Sequence, residues 1–150
     1  RHNEMVEQIR KSGARLRLIS DGDIAGALMT VFSEIGVDML MGVGGTAEGV
    51  LAACALRCMG GAILGQLCTQ NDAQRQYLKE AGHDPDRVLT LDDLVRSDDV
   101  SFAATGITTG LLLRGVDYGP TSTSTESLAM RGSTGTVRKI MATHRLNNPA

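Results

Sequence analysis

Gly42-Val43-Gly44-Gly45-Thr46-Ala47-Glu48-Gly49 is the stretch on which the reading of this chain turns. An apolar run, residues 37–43, leads into it, and a run rich in alanine and leucine, residues 47–59, leaves it for a stop at Gly60-Gly61. Buried strand, tight turn and helix are the expected order, because a short apolar run fits a strand covered on both faces and glycines let the backbone reverse. The same order precedes it: residues 14–20 alternate Arg15, Leu16, Arg17, Leu18 and then turn apolar, Asp21-Gly22-Asp23 forms a turn, and a helix is expected over 24–32. Residues 62–68 read as a third strand. This rhythm predicts an α/β fold with parallel pairing and right-handed crossovers. It also puts both glycine-bearing turns at the carboxyl edge of the sheet, where open α/β sheets bind ligands.

Working outward, Met5, Val6 and Ile9 fall at helical spacing within 3–12, with Gly13 as the stop. Asn71 or Asp72 caps a helix that ends near Ala81, ahead of Gly82 and a loop at His83-Asp84-Pro85. Thr90 is expected to cap a short helix over 91–95, with Asp92 and Asp93 in its first turn, where carboxylates favour the helix dipole. Residues 100–104 read as a strand, 105–110 as a Gly/Thr-rich connection, 118–125 as loop, 126–131 as a strand and 132–135 as a turn. Val137, Ile140, Met141 and His144 fit a helix over 136–144, but the β-branched start and the hairpin-like turn before it favour a strand. Residues 147–150 read as a frayed end.

Composition narrows the function classes. A chain of 150 residues is long enough for one domain that buries about 70% of its unfolded surface. With 21% charged residues and a net charge of -2 there is no basic footprint, so nucleic acid is not an expected partner. The longest apolar runs, such as 39–43 and 50–56, are too short for a bilayer, so no membrane is expected. Cys54, Cys58 and Cys68 are odd in number and lie in or near apolar segments, which points to the reducing cytoplasm rather than a disulfide framework. The chain opens at Arg1-His2-Asn3 with neither an initiator Met nor a leader, so a missing amino-terminal portion is expected.

Chemistry concentrates in the two turns. Asp21 and Asp23 could accept hydrogen bonds from sugar hydroxyls at fixed positions, or one of them could simply cap the following helix. In the glycine turn, backbone N–H groups converge at a helix start suited to phosphate, and Glu48 could hold a hard cation or serve only as a first-turn acid. Gly42 to Ala47 also fits the dinucleotide pattern Gly-x-Gly-x-x-Gly/Ala between a strand and a helix. Against that, residues 62–68 end in Thr69-Gln70-Asn71 without an acid for a ribose, and no Lys-Ser/Thr follows the glycines as a P-loop requires. Cys54 and Cys58, four apart on a helix, lack partners at zinc spacing and read as buried small hydrophobes. The pairs Asp92-Asp93 and Asp98-Asp99 are explained by helix-start and loop positions, Tyr77 by packing, and 121–125 by an exposed loop.

Six segments in one order are recognisable. Arg1-His2, Leu18-Ile19-Ser20-Asp21-Gly22-Asp23, the glycine turn, Val95-Arg96-Ser97-Asp98-Asp99-Val100, Ala103-Ala104-Thr105-Gly106-Ile107-Thr108 and Arg131-Gly132-Ser133-Thr134-Gly135-Thr136-Val137-Arg138 resemble the class II fructose-1,6-bisphosphatases over nearly the whole chain. The resemblance implies a layered sugar-phosphatase-type α/β fold, with a mainly parallel or mixed sheet flanked by helices. It also implies that residues 1–150 are a carboxyl-terminal domain whose amino-terminal, metal-binding half lies outside this chain. The implied reaction is metal-dependent hydrolysis of the 1-phosphate of fructose 1,6-bisphosphate in gluconeogenesis, with sedoheptulose 1,7-bisphosphate as a second candidate substrate and a homo-oligomer as the expected assembly.

By the same resemblance Asp21, Gly22 and Asp23 contact the sugar, Gly45 contacts substrate, Arg1 remains from a basic substrate-binding segment, and Glu48 binds Mn²⁺ or Mg²⁺. Thr46 and Ala47 depart from the family pattern at positions where relatives vary or carry Pro. The family's other metal carboxylates, a Glu-Gly-Thr segment whose Thr helps activate water, and a substrate-contacting Tyr have no match here. The chain alone is therefore expected to lack phosphatase activity. A non-enzymatic sugar-phosphate-binding module and a dinucleotide-binding domain remain the competing classes.

Overall fold

The computed structural model describes residues 2–20 and 22–146. In chain order the elements are α1 (Asn3–Lys11), α2 (Asp23–Met29), a 3-10 turn (Ser33–Ile35), α3 (Thr46–Met59), β1 (Leu64–Gln66), α4 (Asp72–Glu80), β2 (Val88–Thr90), α5 (Leu91–Leu94), β3 (Ser101–Thr105), β4 (Asp117–Tyr118), β5 (Ser122–Arg131), a 3-10 turn (Gly132–Thr134) and β6 (Thr136–Arg145). The fold class is α/β, as expected. No helix among the described residues is long and apolar enough to cross a membrane.

β5 organises the larger sheet. β6 pairs along its whole length, from Ser122↔Arg145 to Arg131↔Thr136, while β3 and β4 share its other edge. Because side chains alternate across a strand, Phe102 and Ala104 of β3 and Leu128 and Met130 of β5 fall on one face. α2 and α3 close over that face. Leu28, Ala55 and Cys58 join Phe102, Leu113, Leu128 and Met130 in one buried cluster, and Ala27, Ala52 and Leu56 fill the seam between the two helices. Alanines at 52, 53 and 55, all buried, let α3 approach its neighbours closely. Gly60, at φ +71°, ends α3 in the left-handed conformation that only glycine adopts without cost.

Every ladder among the described residues is antiparallel, including β1 with β2. The expected parallel pairing of 14–20, 37–43 and 62–68 is therefore corrected. Only Leu64–Gln66 of the third segment is a strand, and 14–20 and 37–43 carry none. Apolar alternation favours an extended chain, but a ladder also needs a second backbone about 4.8 Å away, and none of the described residues supplies one. Both segments still run past α2, since the side chains of Ile19 and Leu40 meet over Gly26.

Two other expectations are corrected. Residues 118–125, read as loop, contain the end of β4 and the start of β5, where the hydroxyl-rich run is held by pairing with β6 rather than by burial. Tyr77, read as a packing residue, is 70% exposed on α4, a helix that buries no residue and is held through its amino-terminal half, by the Asn71 side chain accepting from Gln74 N and by an Arg75–Asp86 ion pair. The strand over 136–144 and the short helix after Thr90 form as expected, the latter through a capping box between Thr90 and Asp93. Residues 147–150 lie outside the described residues.

Candidate functional site

The two turns singled out in the sequence become the starts of two packed helices. Gly22, at φ +87°, precedes α2, and its carbonyl accepts from Gly26 N at 2.8 Å. Gly45, in an extended conformation, precedes α3, and its carbonyl accepts from Gly49 N at 3.0 Å. Neither helix start is capped by a side chain from its preceding residue, since glycine has none to offer. Asp23 is the first residue of α2 and not its cap, so the capping alternative for Asp23 does not hold.

The packing of α2 against α3 brings their starts together. Gly22, Asp23, Ile24 and Glu48 line one crevice of about 240 Å³. Two carboxylates reach across glycines to get there. Oδ2 of Asp23 rests against Gly44, and the Glu48 carboxylate folds back over Gly45, each taking space that a Cβ would fill. Asp23 and Glu48 line it from the starts of different helices, together with the apolar Ile24. Ile24, expected only as the start of a helix, is a lining residue that the sequence did not single out, and Gly44 has no expected role beyond its place in the glycine turn. Arg1 and Asp21 lie outside the described residues.

The crevice suits hard cations in kind but not in number. Carboxylate oxygens are what Mg²⁺ and Mn²⁺ take, and Glu48 could hold one, with Asp23 lining the same crevice. Among the described residues no three His, Cys, Asp or Glu side chains converge to complete such a site. A dinucleotide fits poorly, because the Glu48 carboxylate stands over Gly45, where a pyrophosphate would have to approach the turn.

Polar groups elsewhere are structural. Asp92 and Asp98 pair with Arg57, and Asp99 pairs with Arg131. Hydrogen bonds from the Thr90 backbone and hydroxyl, followed by the nearby Arg87, hold the Asp93 carboxyl below the usual range. Cys58 is buried and Cys54 half-buried, as expected for small hydrophobes. Burial, then the neighbouring Cys54, pushes the Cys58 thiol up against the lowering effect of a backbone hydrogen bond from Phe102, so it stays a protonated, unreactive thiol. His144 Nε2 lies 3.3 Å from the Thr125 hydroxyl across the β5–β6 ladder, away from both helix starts.

Residues 1–144 match the family described as bacterial fructose-1,6-bisphosphatase, glpX-encoded. A fructose-1,6-bisphosphatase class 2 of Haemophilus influenzae is 37% identical over 99% of this chain and 48% of its own length. A D-fructose 1,6-bisphosphatase class 2/sedoheptulose 1,7-bisphosphatase of Synechococcus sp. is 40% identical over 96% of this chain and 45% of its own length. A similarly named protein of Acaryochloris marina is 38% identical over 99% and 46%. The chain thus spans about half the length of these relatives, and it belongs to the glpX-encoded bacterial fructose-1,6-bisphosphatase family.

Proposed function

We propose that this chain is the carboxyl-terminal half of a class II fructose-1,6-bisphosphatase and supplies the sugar-holding wall and one metal carboxylate of its active site. The supporting observation is that Asp23 and Glu48, from two separate helix starts, reach a single crevice. At about 240 Å³ the crevice is below the roughly 300 Å³ of a complete small-molecule pocket, which fits half of a site whose other wall belongs to a longer protein.

In this reading Asp23, with Gly22 and Asp21 beside it, accepts hydrogen bonds from sugar hydroxyls and fixes the sugar's orientation. With a cation drawing the Glu48 carboxylate off Gly45 and neutralising it, the N–H groups at the start of α3, with Arg1 of the basic segment, hold phosphate oxygens. Glu48 binds Mn²⁺ or Mg²⁺, which neutralises phosphoryl charge when present. Residues beyond this chain activate water, so the 150-residue chain alone turns over no substrate. The whole enzyme is proposed to be cytoplasmic and homo-oligomeric. Sedoheptulose 1,7-bisphosphate stands beside fructose 1,6-bisphosphate as substrate, because two relatives carry both activities in their names.

Glu48→Ala in the full-length enzyme tests this. Mn²⁺-dependent phosphate release from fructose 1,6-bisphosphate should fall on the order of 100-fold or more, as several kcal/mol of charge stabilisation disappear, with the melting temperature unchanged. Retained activity with a lowered melting temperature would assign Glu48 to helix stabilisation and end the proposal.

A further inference from the structure

We infer that Gly44 is a positioning residue for Asp23, acting through the side chain it lacks. A Cβ built on Gly44 would come 2.5 Å from Oδ2 of Asp23 and 3.5 Å from its Cγ, and among the described residues it would meet no other heavy atom within 4 Å. Real Cβ atoms do not approach a neighbour closer than 3.0 Å. The Asp23 carboxylate can therefore lie against the glycine turn only while position 44 has no side chain.

Gly44 is not needed for its backbone conformation, because its φ is not positive. Any L-residue could adopt that backbone, so the space beside it is what the glycine provides. The obstructing group is the far end of an exposed side chain, so an alanine at 44 would move the carboxylate and leave the fold intact. Gly45 makes a parallel case that keeps the two effects apart. Its virtual Cβ collides with Glu48 and with no atom of Asp23. Each glycine of the doublet thus governs one carboxylate, Gly44 the one proposed to hold sugar and Gly45 the one proposed to hold metal.

The kinetic arm of the test rests on the functional reading above, and a spectroscopic arm does not. In full-length enzyme labelled with ¹³C at aspartate carboxyls, with the Asp23 resonance assigned by Asp23→Asn, Gly44→Ala should shift that resonance. The same variant should raise KM for fructose 1,6-bisphosphate on the order of tenfold, the scale of one lost charge-assisted hydrogen bond, with kcat and the Mn²⁺ half-saturation within about twofold of the parent. Asp23→Ala should do the same, and the double variant should be no worse than either single, since both remove one interaction. Gly45→Ala should instead weaken Mn²⁺ half-saturation.

An unmoved Asp23 resonance, or additive effects in the double variant, would overturn the role of Gly44. A shifted resonance with KM unchanged in both Gly44→Ala and Asp23→Ala would uphold it and strike the sugar-holding role of Asp23. If Gly44→Ala lowers the melting temperature, the Asp23→Ala background, which removes the only atoms of the described residues in its way, should restore it; failure to do so would also overturn the inference.

Discussion

Glu126 is the one buried charged residue among those described, 6% exposed on the inward face of β5. A carboxylate there survives only if its lone pairs are taken, and they are: Lys139 Nζ reaches Oε1 at 2.6 Å and Arg114 N donates to Oε2. The Lys139 hydrogen bond first, and the Arg114 backbone bond second, hold its pKa below the ordinary value, with burial working against them. A depressed folded-state pKa means the contribution to stability is complete above the unfolded value of about 4.3 and is lost as pH falls through the folded one. Urea midpoints followed from about pH 7 to about pH 3 should therefore drop with acid more steeply in the parent than in Glu126→Gln, the two curves converging at the acid end. Parallel curves would mean that the carboxylate adds nothing over an amide. No sequence signal marked this residue, because Lys139 meets it only through the β5–β6 register and Arg114 only through the fold of the intervening loop.

Among the helices, α3 buries the most residues, and its last turn shows which of its polar contacts matter. Arg57, 17% exposed, donates to Asp92 and the Val95 carbonyl and pairs with Asp98 at 3.5 Å, tying the end of α3 to α5 and the residues after it. The two carboxylates are 83% and 77% exposed and remain hydrated if released, so those ion pairs contribute little. Val95 is buried, and its carbonyl loses a charged donor. Arg57→Ala should cost about 1–2 kcal/mol in chemical denaturation and Asp92→Asn less than about 0.5 kcal/mol. Comparable losses from both would reassign the stability to the ion pair. Helices such as α3 were legible because their signals are local: Gly60 as a stop, Asn71 as a cap, Thr90 as a cap followed by first-turn acids. The β4–β5 region was not, because residues 121–125 show no apolar alternation, and a strand held by its neighbour's ladder leaves no trace in its own composition. In the candidate site, residue types and turn positions were legible. The approach of Asp23 to Gly44 was not, since it depends on how α2 packs on α3.

For the whole molecule, what the described residues leave uncovered is as informative as what they bury. Leu18, Met39, Met41 and Leu64 are each more than half exposed, and three of them lie on the two extended segments that have no ladder. α3 is apolar nearly all round, with Leu51 and Val50 also open, the pattern of a helix meant to be buried on every side. A chain spanning 45–48% of its relatives' length accounts for this if the rest of a longer protein lies against these surfaces. Backbone of that half would also give 14–20 and 37–43 the pairing their sequence pattern favours. The 150-residue chain by itself should then self-associate on concentration to the order of 100 µM, as exposed apolar surface does. Light scattering should show the association relieved by Met39→Glu with Met41→Glu, and equally by adding the unmatched half of the Haemophilus influenzae relative. The charged pair should have the opposite effect in the full-length protein, lowering its melting temperature by placing two carboxylates in a covered interface. A monodisperse parent chain, or a full-length protein indifferent to both substitutions, would mean that these segments face solvent in the native molecule and that the part the relatives carry beyond this match binds elsewhere.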